Sequence, residues 1–380
     1  MHQHLKKRFE EKFKARPLLV KSPGRINIIG EHTDYNDGFV LPASVDKYIQ
    51  VAINKRTDDA IHLYSVAFNE EQIASLQNLS STGKQWPVYL LGVVDQLQKK
   101  GCQISGFNLM IDGDIPIGAG MSSSAAVECA TIFALNELFQ LDISKMEMVK
   151  MAQMAEHEFA GVKCGIMDQF ASMFGRDGHV IRLDCRSLEY EYFPFNMPGI
   201  KIVLFDTNVK HSLATSEYNE RRHQCEAGVA LIQQFNPAVK SLRDVTMQML
   251  DVHVKDPLVY QRCKYVVEEI ERLQLACTDL QNGNMHSFGK KMFETHDGLS
   301  KLYEVSCDEL DCLVNAVRNS PAVLGARMMG GGFGGCTINL IKEEAVEELI
   351  KEVTALYKKQ MKKELETYIA KLEDGTRLIS

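Results

Sequence analysis

The 380-residue sequence has no run of about 18 apolar residues, the length a membrane-crossing helix needs. Its first stretch, Met1 to Val20, is charged and has no apolar core of signal-peptide length, so the expected location is the cytoplasm. Positive charge is not in surplus: 43 Lys and Arg against 50 Asp and Glu leave a net charge of −7. That balance gives no bulk electrostatic reason to bind nucleic acid or an anionic membrane. Ten cysteines are scattered without a CxxC pair, which predicts reduced, buried thiols. Repeats and low-complexity segments are missing, apart from the glycine cluster Gly330–Gly335. Two common phosphate signatures are missing as well. No GK[ST] follows the glycine-rich turn, and Gly118-x-Gly120-x-x-Ser123 lacks the third glycine of a dinucleotide fingerprint.

What is present is a globular balance, 45% hydrophobic and 24% charged, over a length suited to two domains. The pattern predicts a two-domain α+β fold. A short amphipathic helix carrying Leu5, Phe9 and Phe13 runs into a strand. Strand patterns occur at Val51–Arg56 and Phe107–Ile111, followed by a buried, alanine-rich helix at Ser124–Phe139 and a second helix at Ser144–Ala160. Val180–Asp184 and Ile200–Asp206 read as strands, and Pro194–Gly199 between them is the expected hinge, dividing the chain into 1–194 and 195–380. Helices at Ser216–Gln234, Pro257–Leu273 and Met285–Leu302 follow, then a β-rich unit at Met328–Ile341 and a charged helix at Glu343–Glu366.

Three segments carry chemistry. The run from Asp114 to Ala125 (DIPIGAGMSSSA) leaves a strand and opens the apolar helix. Such a turn aims unpaired N–H groups and the positive end of a helix dipole at one point. Its serines can cap the helix, touch phosphate oxygens or ligate Mg²⁺. A serine-capped helix after a flexible loop is the plainer alternative. In the second segment, Ser22 to Asn36, Arg25 and Asn27 share one strand face, and Glu31, His32 and Asp34 cluster beside Gly30. Carboxylates and an imidazole at a turn suit several hydrogen bonds to vicinal sugar hydroxyls, or simply a polar turn. The third element is Glu156 with Asp168. Glu156 lies at the edge of an apolar helix face, where a carboxylate needs a partner, either Mg²⁺ or a salt bridge. Asp168, flanked by apolar residues, suits a shielded proton acceptor beside an arginine, or an N-cap for the helix that follows.

Together these segments resemble the galactokinases, members of the superfamily that also holds homoserine, mevalonate and phosphomevalonate kinases. The carriers are Gly24–Asn36 (GRINIIGEHTDYN), Pro116–Ala125, Gly325–Cys336 (GARMMGGGFGGC), Cys164–Gln169 and Ser216–Cys225 (SEYNERRHQC). The resemblance implies an N-terminal domain like ribosomal protein S5, a ferredoxin-like C-terminal domain, and an active site in the cleft between them. It implies ATP and Mg²⁺ and transfer of the γ-phosphate to the C1 hydroxyl of galactose; a monomer is the expected state, with an oligomer left open. Asp168 and Arg25 match the catalytic pair. Glu31, His32, Thr33, Asp34, Gly165 and Tyr218 match sugar-binding positions. Gly118, Ala119, Gly120, Met121, Ser122, Ser123 and Ser124 match the triphosphate loop, with Ser65 near the nucleotide. Ser124 and Glu156 match the metal ligands. An N-acetylgalactosamine kinase and a catalytically silent sugar sensor share these motifs, although the intact Ser122-Ser123-Ser124-Ala125 speaks against the sensor. In one departure, Met329 stands where the family pattern Met-Thr-Gly-Gly-Gly has threonine, which predicts tuned affinity with activity kept.

Overall fold

The computed structural model describes residues 2–80, 83–195, 197–209 and 214–379. The chain opens with α1 (His2–Phe13), whose Leu5 and Phe9 are fully buried against Ala52 and Met110. Strands β1 (Leu18–Asn27), β2 (Phe39–Val40), β3 (Pro42–Lys55), β4 (Ala60–Ser65), β5 (Glu70–Ser75) and β6 (Phe107–Gly113) follow, with α2 (Trp86–Lys99) between the last two. Helices α3 (Ser123–Phe139), α4 (Lys145–Ala155) and α5 (Met167–Phe174) precede the hairpin β7 (His179–Asp184) and β8 (Tyr190–Pro194).

Five of these strands, with a sixth from the end of the chain, form the first sheet in the order Arg377–Leu378, β1, β3, β6, β4, β5. α3 packs against β1 and β3. Its buried Ala125, Ala126, Ala130 and Ala134 let the helix axis approach the sheet closely, because alanine adds little bulk between them. α4 starts at a reciprocal cap, in which the Ser144 hydroxyl accepts from the Glu147 N–H and the Glu147 carboxylate accepts from the Ser144 N–H.

Beyond the expected hinge come β9 (Ile200–Asp206), α6 (Ala214–Gln233), α7 (Met247–His253), α8 (Pro257–Gln281), α9 (Met285–Lys301) and α10 (Asp308–Val317). Then follow β10 (Val323–Met328), β11 (Cys336–Lys342), α11 (Val346–Met361), β12 (Glu366–Ala370) and β13 (Arg377–Leu378). A second, antiparallel sheet has the order β10-β11-β9-β12, and its core includes Val203, Phe205, Val314 and Tyr357. Strands β2, β7 and β8 form a third, small antiparallel sheet.

The division at 194/195 does not hold at the end of the chain. β13 pairs with Val20 and Lys21 of β1, and the Thr376 hydroxyl lies 2.7 Å from that of Ser22. The reason is the exposed edge of β1, whose unpaired backbone groups need a partner strand. Two other expectations shift. The helix over Ser144–Ala160 turns into a π turn at Glu156–Ala160, and the β-rich unit starts earlier, at Val323.

Candidate active site

The end of β1 brings the first motif to the second. A bulge between Pro23 and Arg25 tips the strand, and a Cβ on Gly24 would lie 2.8 Å from the Met121 carbonyl. Glycine is thus needed where the loop lies on the strand. The Arg25 N–H donates to that carbonyl at 3.0 Å. The Arg25 side chain, nearly buried, grips Asp168 with a two-pronged fork, Nε to Oδ1 at 2.7 Å and Nη2 to Oδ2 at 2.8 Å. This planar pairing fixes the orientation of the carboxylate as well as its position. Asp168 is the second residue of α5, not its cap, so the N-cap alternative falls.

The turn after β1 holds the sugar-loop residues. Burial and, after it, the Asp168 carboxylate push Asp34 up to about 7. A Cβ on Gly165 would sit 1.7 Å from Asp34 Oδ2, so only glycine allows this approach. Glu31 is 1% exposed and already engaged: Oε1 accepts from Arg327 Nη2 at 3.0 Å and from the Gly330 N–H at 2.8 Å. His32 bridges the Tyr35 hydroxyl (Nδ1, 2.7 Å) and the Gly331 carbonyl (Nε2, 3.2 Å). A carbonyl only accepts, so Nε2 carries the proton. Burial lowers His32 to about 3, so the ring is neutral. Its ring also lies 5.3 Å from that of Tyr218 on α6. These groups line a polar cavity of about 140 Å³ that reaches Asp168. Thr33 does not line it. Its hydroxyl lies 2.9 Å from the Gly30 carbonyl and 2.5 Å from that of Phe39, closing the turn, so its expected sugar contact is corrected to a structural one.

The loop before α3 passes next to the same pair. Gly118, Gly120 and Ser122 all have positive φ (88°, 74° and 53°), which bends the loop sharply onto the helix start. Ser122 makes no side-chain cap; its hydroxyl donates instead to Asp168 Oδ2. Ala119 and Met121 are buried, so they offer the loop backbone and not side chains. A cleft of about 310 Å³ runs from Gly118 and Ser124 to Asp168 and is walled opposite by Gly330 and Gly331. Ser123 and Ser124 also line an apolar cavity of about 270 Å³, together with Ser65, Phe68, Trp86, Tyr89, Ile117 and Val127.

Glu156, at the start of the π turn, accepts hydrogen bonds at Oε2 from Gln169 Nε2 at 2.8 Å and from the Cys164 thiol at 3.4 Å. The wider turn re-aims a helical side chain, a device frequent at functional sites. Burial and then Asp168 push Glu156 up to about 7. Gln169 Nε2 also donates to Glu128 at 3.0 Å. Sequence reasoning missed Arg327, Tyr303, Gln169 and Glu128. Arg327, fully buried, donates to the Asn27 and Ile28 carbonyls as well as to Glu31, and an arginine between apolar strand residues was a readable sign of a buried partner. Tyr303, 2.7 Å from the Tyr35 hydroxyl, left no such sign. Met329 is 1% exposed and lies in the main core, so the missing threonine hydroxyl is lost beneath the loop and not from the cleft.

Comparison with known proteins gives the family. Residues 7–55 match the galactokinase galactose-binding signature, 88–176 the GHMP kinases N terminal domain, and 276–359 the GHMP kinases C terminal domain. The galactokinase of Thermotoga maritima is 41% identical over 362 residues, covering 95% of this chain and 100% of that protein. That of Clostridium acetobutylicum is 42% identical over 366 residues, covering 94% of each. The crystal structure of Lactococcus lactis galactokinase complexed with galactose superposes with a TM-score of 0.96 at 34% identity, over 100% of both chains. Methanococcus jannaschii mevalonate kinase shares the fold, with a TM-score of 0.66 at 20% identity over 95% of this chain and 100% of its own. With two fifths of its residues shared along almost the whole length of these enzymes, this two-domain chain belongs to the galactokinase family of GHMP kinases.

Proposed function

We propose that this chain transfers the γ-phosphate of ATP to the C1 hydroxyl of galactose, giving galactose 1-phosphate and ADP. The observation that carries the reading is the shared walls of the three cavities: the cleft at the phosphate loop shares Asp168 with the polar cavity and Ser124 with the apolar one. The apolar cavity, with Trp86, Phe68 and Tyr89 in its wall, suits a flat nucleobase. The uncapped start of α3 suits the triphosphate, since its first N–H groups and dipole favour negative charge. The polar cavity suits a compact ring of hydroxyls, with Glu31 and Asp34 as acceptors.

In this reading Asp168 receives the hydrogen bond of the C1 hydroxyl and then its proton, while Arg25 holds both carboxylate oxygens in place. The neutral His32 holds Gly331 against the sugar loop, which keeps the acceptor aligned with the phosphate. Ser124 and Glu156 suit Mg²⁺ in kind: they are a hydroxyl at the start of α3 and a buried carboxylate with no cation paired to it among the described residues. Magnesium is content with one or two protein oxygens when phosphate and water supply the rest. When bound, it neutralises charge that builds on the phosphates during transfer.

Ten free cysteines suit the reducing cytoplasm. The test is Asp168→Asn, expected to lower turnover by roughly 10²–10⁴-fold with the fold intact. Near-normal turnover would end the reading.

A further inference from the structure

An ionised carboxylate has about four acceptor positions, two on each oxygen. At Asp168, Arg25 fills one on each, with Nε 2.7 Å from Oδ1 and Nη2 2.8 Å from Oδ2. The Ser122 hydroxyl donates to Oδ2 as well. Among the described residues no other donor reaches this carboxylate, so Oδ2 is filled and one position is left, on Oδ1.

The backbone is bent to bring the serine there. Ser122 has φ 53°, a left-handed conformation that residues with a side chain rarely adopt. It stands at the N-cap of α3, where a serine usually bonds the helix, yet it makes no cap. Its neighbours are fastened to Arg25: the Gly120 carbonyl accepts from Nη1 at 2.5 Å and the Met121 carbonyl from the N–H at 3.0 Å. The loop is therefore tied to the arginine on one side of Ser122, and Ser122 itself is tied to the arginine's partner.

We propose that Ser122 is a positioning residue for the phosphoryl acceptor: by occupying Oδ2 it makes Oδ1 of Asp168 the atom that receives the reacting hydroxyl. The hydroxyl oxygen forms its bond to the γ-phosphorus, and its proton passes to Oδ1. The bond from that phosphorus to the β–γ bridging oxygen breaks, with the electron pair leaving on ADP. The Ser122 hydroxyl thus serves the sugar side of the reaction, and the phosphates are left to the loop N–H groups, Ser123 and Ser124. This inference rests on the reading of Asp168 as proton acceptor.

Ser122→Gly tests it, because glycine tolerates the left-handed backbone while the side chain and its hydroxyl are removed. Losing one hydrogen bond to a charged group is expected to lower kcat roughly ten- to hundredfold. The Kd for MgATP, measured by calorimetry without sugar, is expected to stay within about twofold. In an Asp168→Asn background, Ser122→Gly is expected to lower kcat no further, since the serine acts through the missing carboxylate. An unchanged kcat, a raised Kd for MgATP with kcat kept, or additive losses in the double variant would each overturn the assignment. Normal turnover by Asp168→Asn alone refutes the underlying reading instead, so the two failures are distinct.

Discussion

Replacing Gly165 by alanine would put a methyl carbon 1.7 Å from Asp34 Oδ2 and 2.0 Å from its Cγ, whereas ordinary contact begins near 3.4 Å. The carboxylate must then retreat by more than 1 Å. It is not free to do so without loss, because Oδ1 accepts from the Tyr35 N–H at 2.9 Å and the group stands within the polar cavity. A displacement of about 1 Å at a positioned group costs on the order of 10²-fold in rate. We therefore expect kcat/KM for galactose to fall about 100-fold in Gly165→Ala. The nucleotide cavities do not include Asp34 or Gly165, so the KM for ATP is expected to stay near its normal value. The assay is ADP release at saturating ATP over a range of galactose, with a thermal melt to establish folding. A folded variant whose kcat/KM for galactose lies within about threefold of the parent would refute the Asp34–Gly165 argument.

Other consequences can be measured independently. Arg327→Met leaves Glu31 buried without its cation, which is expected to cost about 3–5 kcal/mol in denaturant unfolding; a loss below about 1 kcal/mol contradicts the pairing. Glu156 is raised to about 7 in the folded chain, so the stability of its protonated form is fully present below the unfolded carboxyl value and is lost as pH rises through about 7. Glu156→Gln escapes that loss. Its stability relative to the parent, without nucleotide or metal, should therefore rise between pH 4 and pH 7 by urea unfolding, and a flat difference would contradict the burial argument. Met329→Thr exchanges a buried thioether for a hydroxyl and is expected to lower stability by about 1–3 kcal/mol with modest changes in KM. A large rise in turnover would place that side chain in the reaction after all.

The functional segments were readable because each is continuous in the chain. Gly24–Asn36, Pro116–Ala125 and Gly330–Gly335 carry their glycines, serines and carboxylates within short loops, where residue type alone suggests chemistry. Helices with strong periodicity, such as α9, were readable for the same local reason. What could not be read depends on distant pairing. That β13 closes the edge of β1 follows from sheet order, which no local pattern encodes. Thr33 has the right chemistry for a sugar contact, and only the path of the turn sends its hydroxyl to the Gly30 and Phe39 carbonyls. Ser122 likewise looked like a phosphate ligand or a cap, and the left-handed turn that carries it to Asp168 is a tertiary fact. Glu156 was placed on an α-helical wheel, but a π turn sets its direction.

The most direct test of the whole account is an ADP-release assay over a panel of hexoses, with Mg²⁺ present and with it removed by a chelator. The account predicts ADP formation that depends on galactose and stops without Mg²⁺, with the phosphate on C1 of the product. ADP formation that ignores galactose, prefers N-acetylgalactosamine, or persists unchanged without the metal would contradict it.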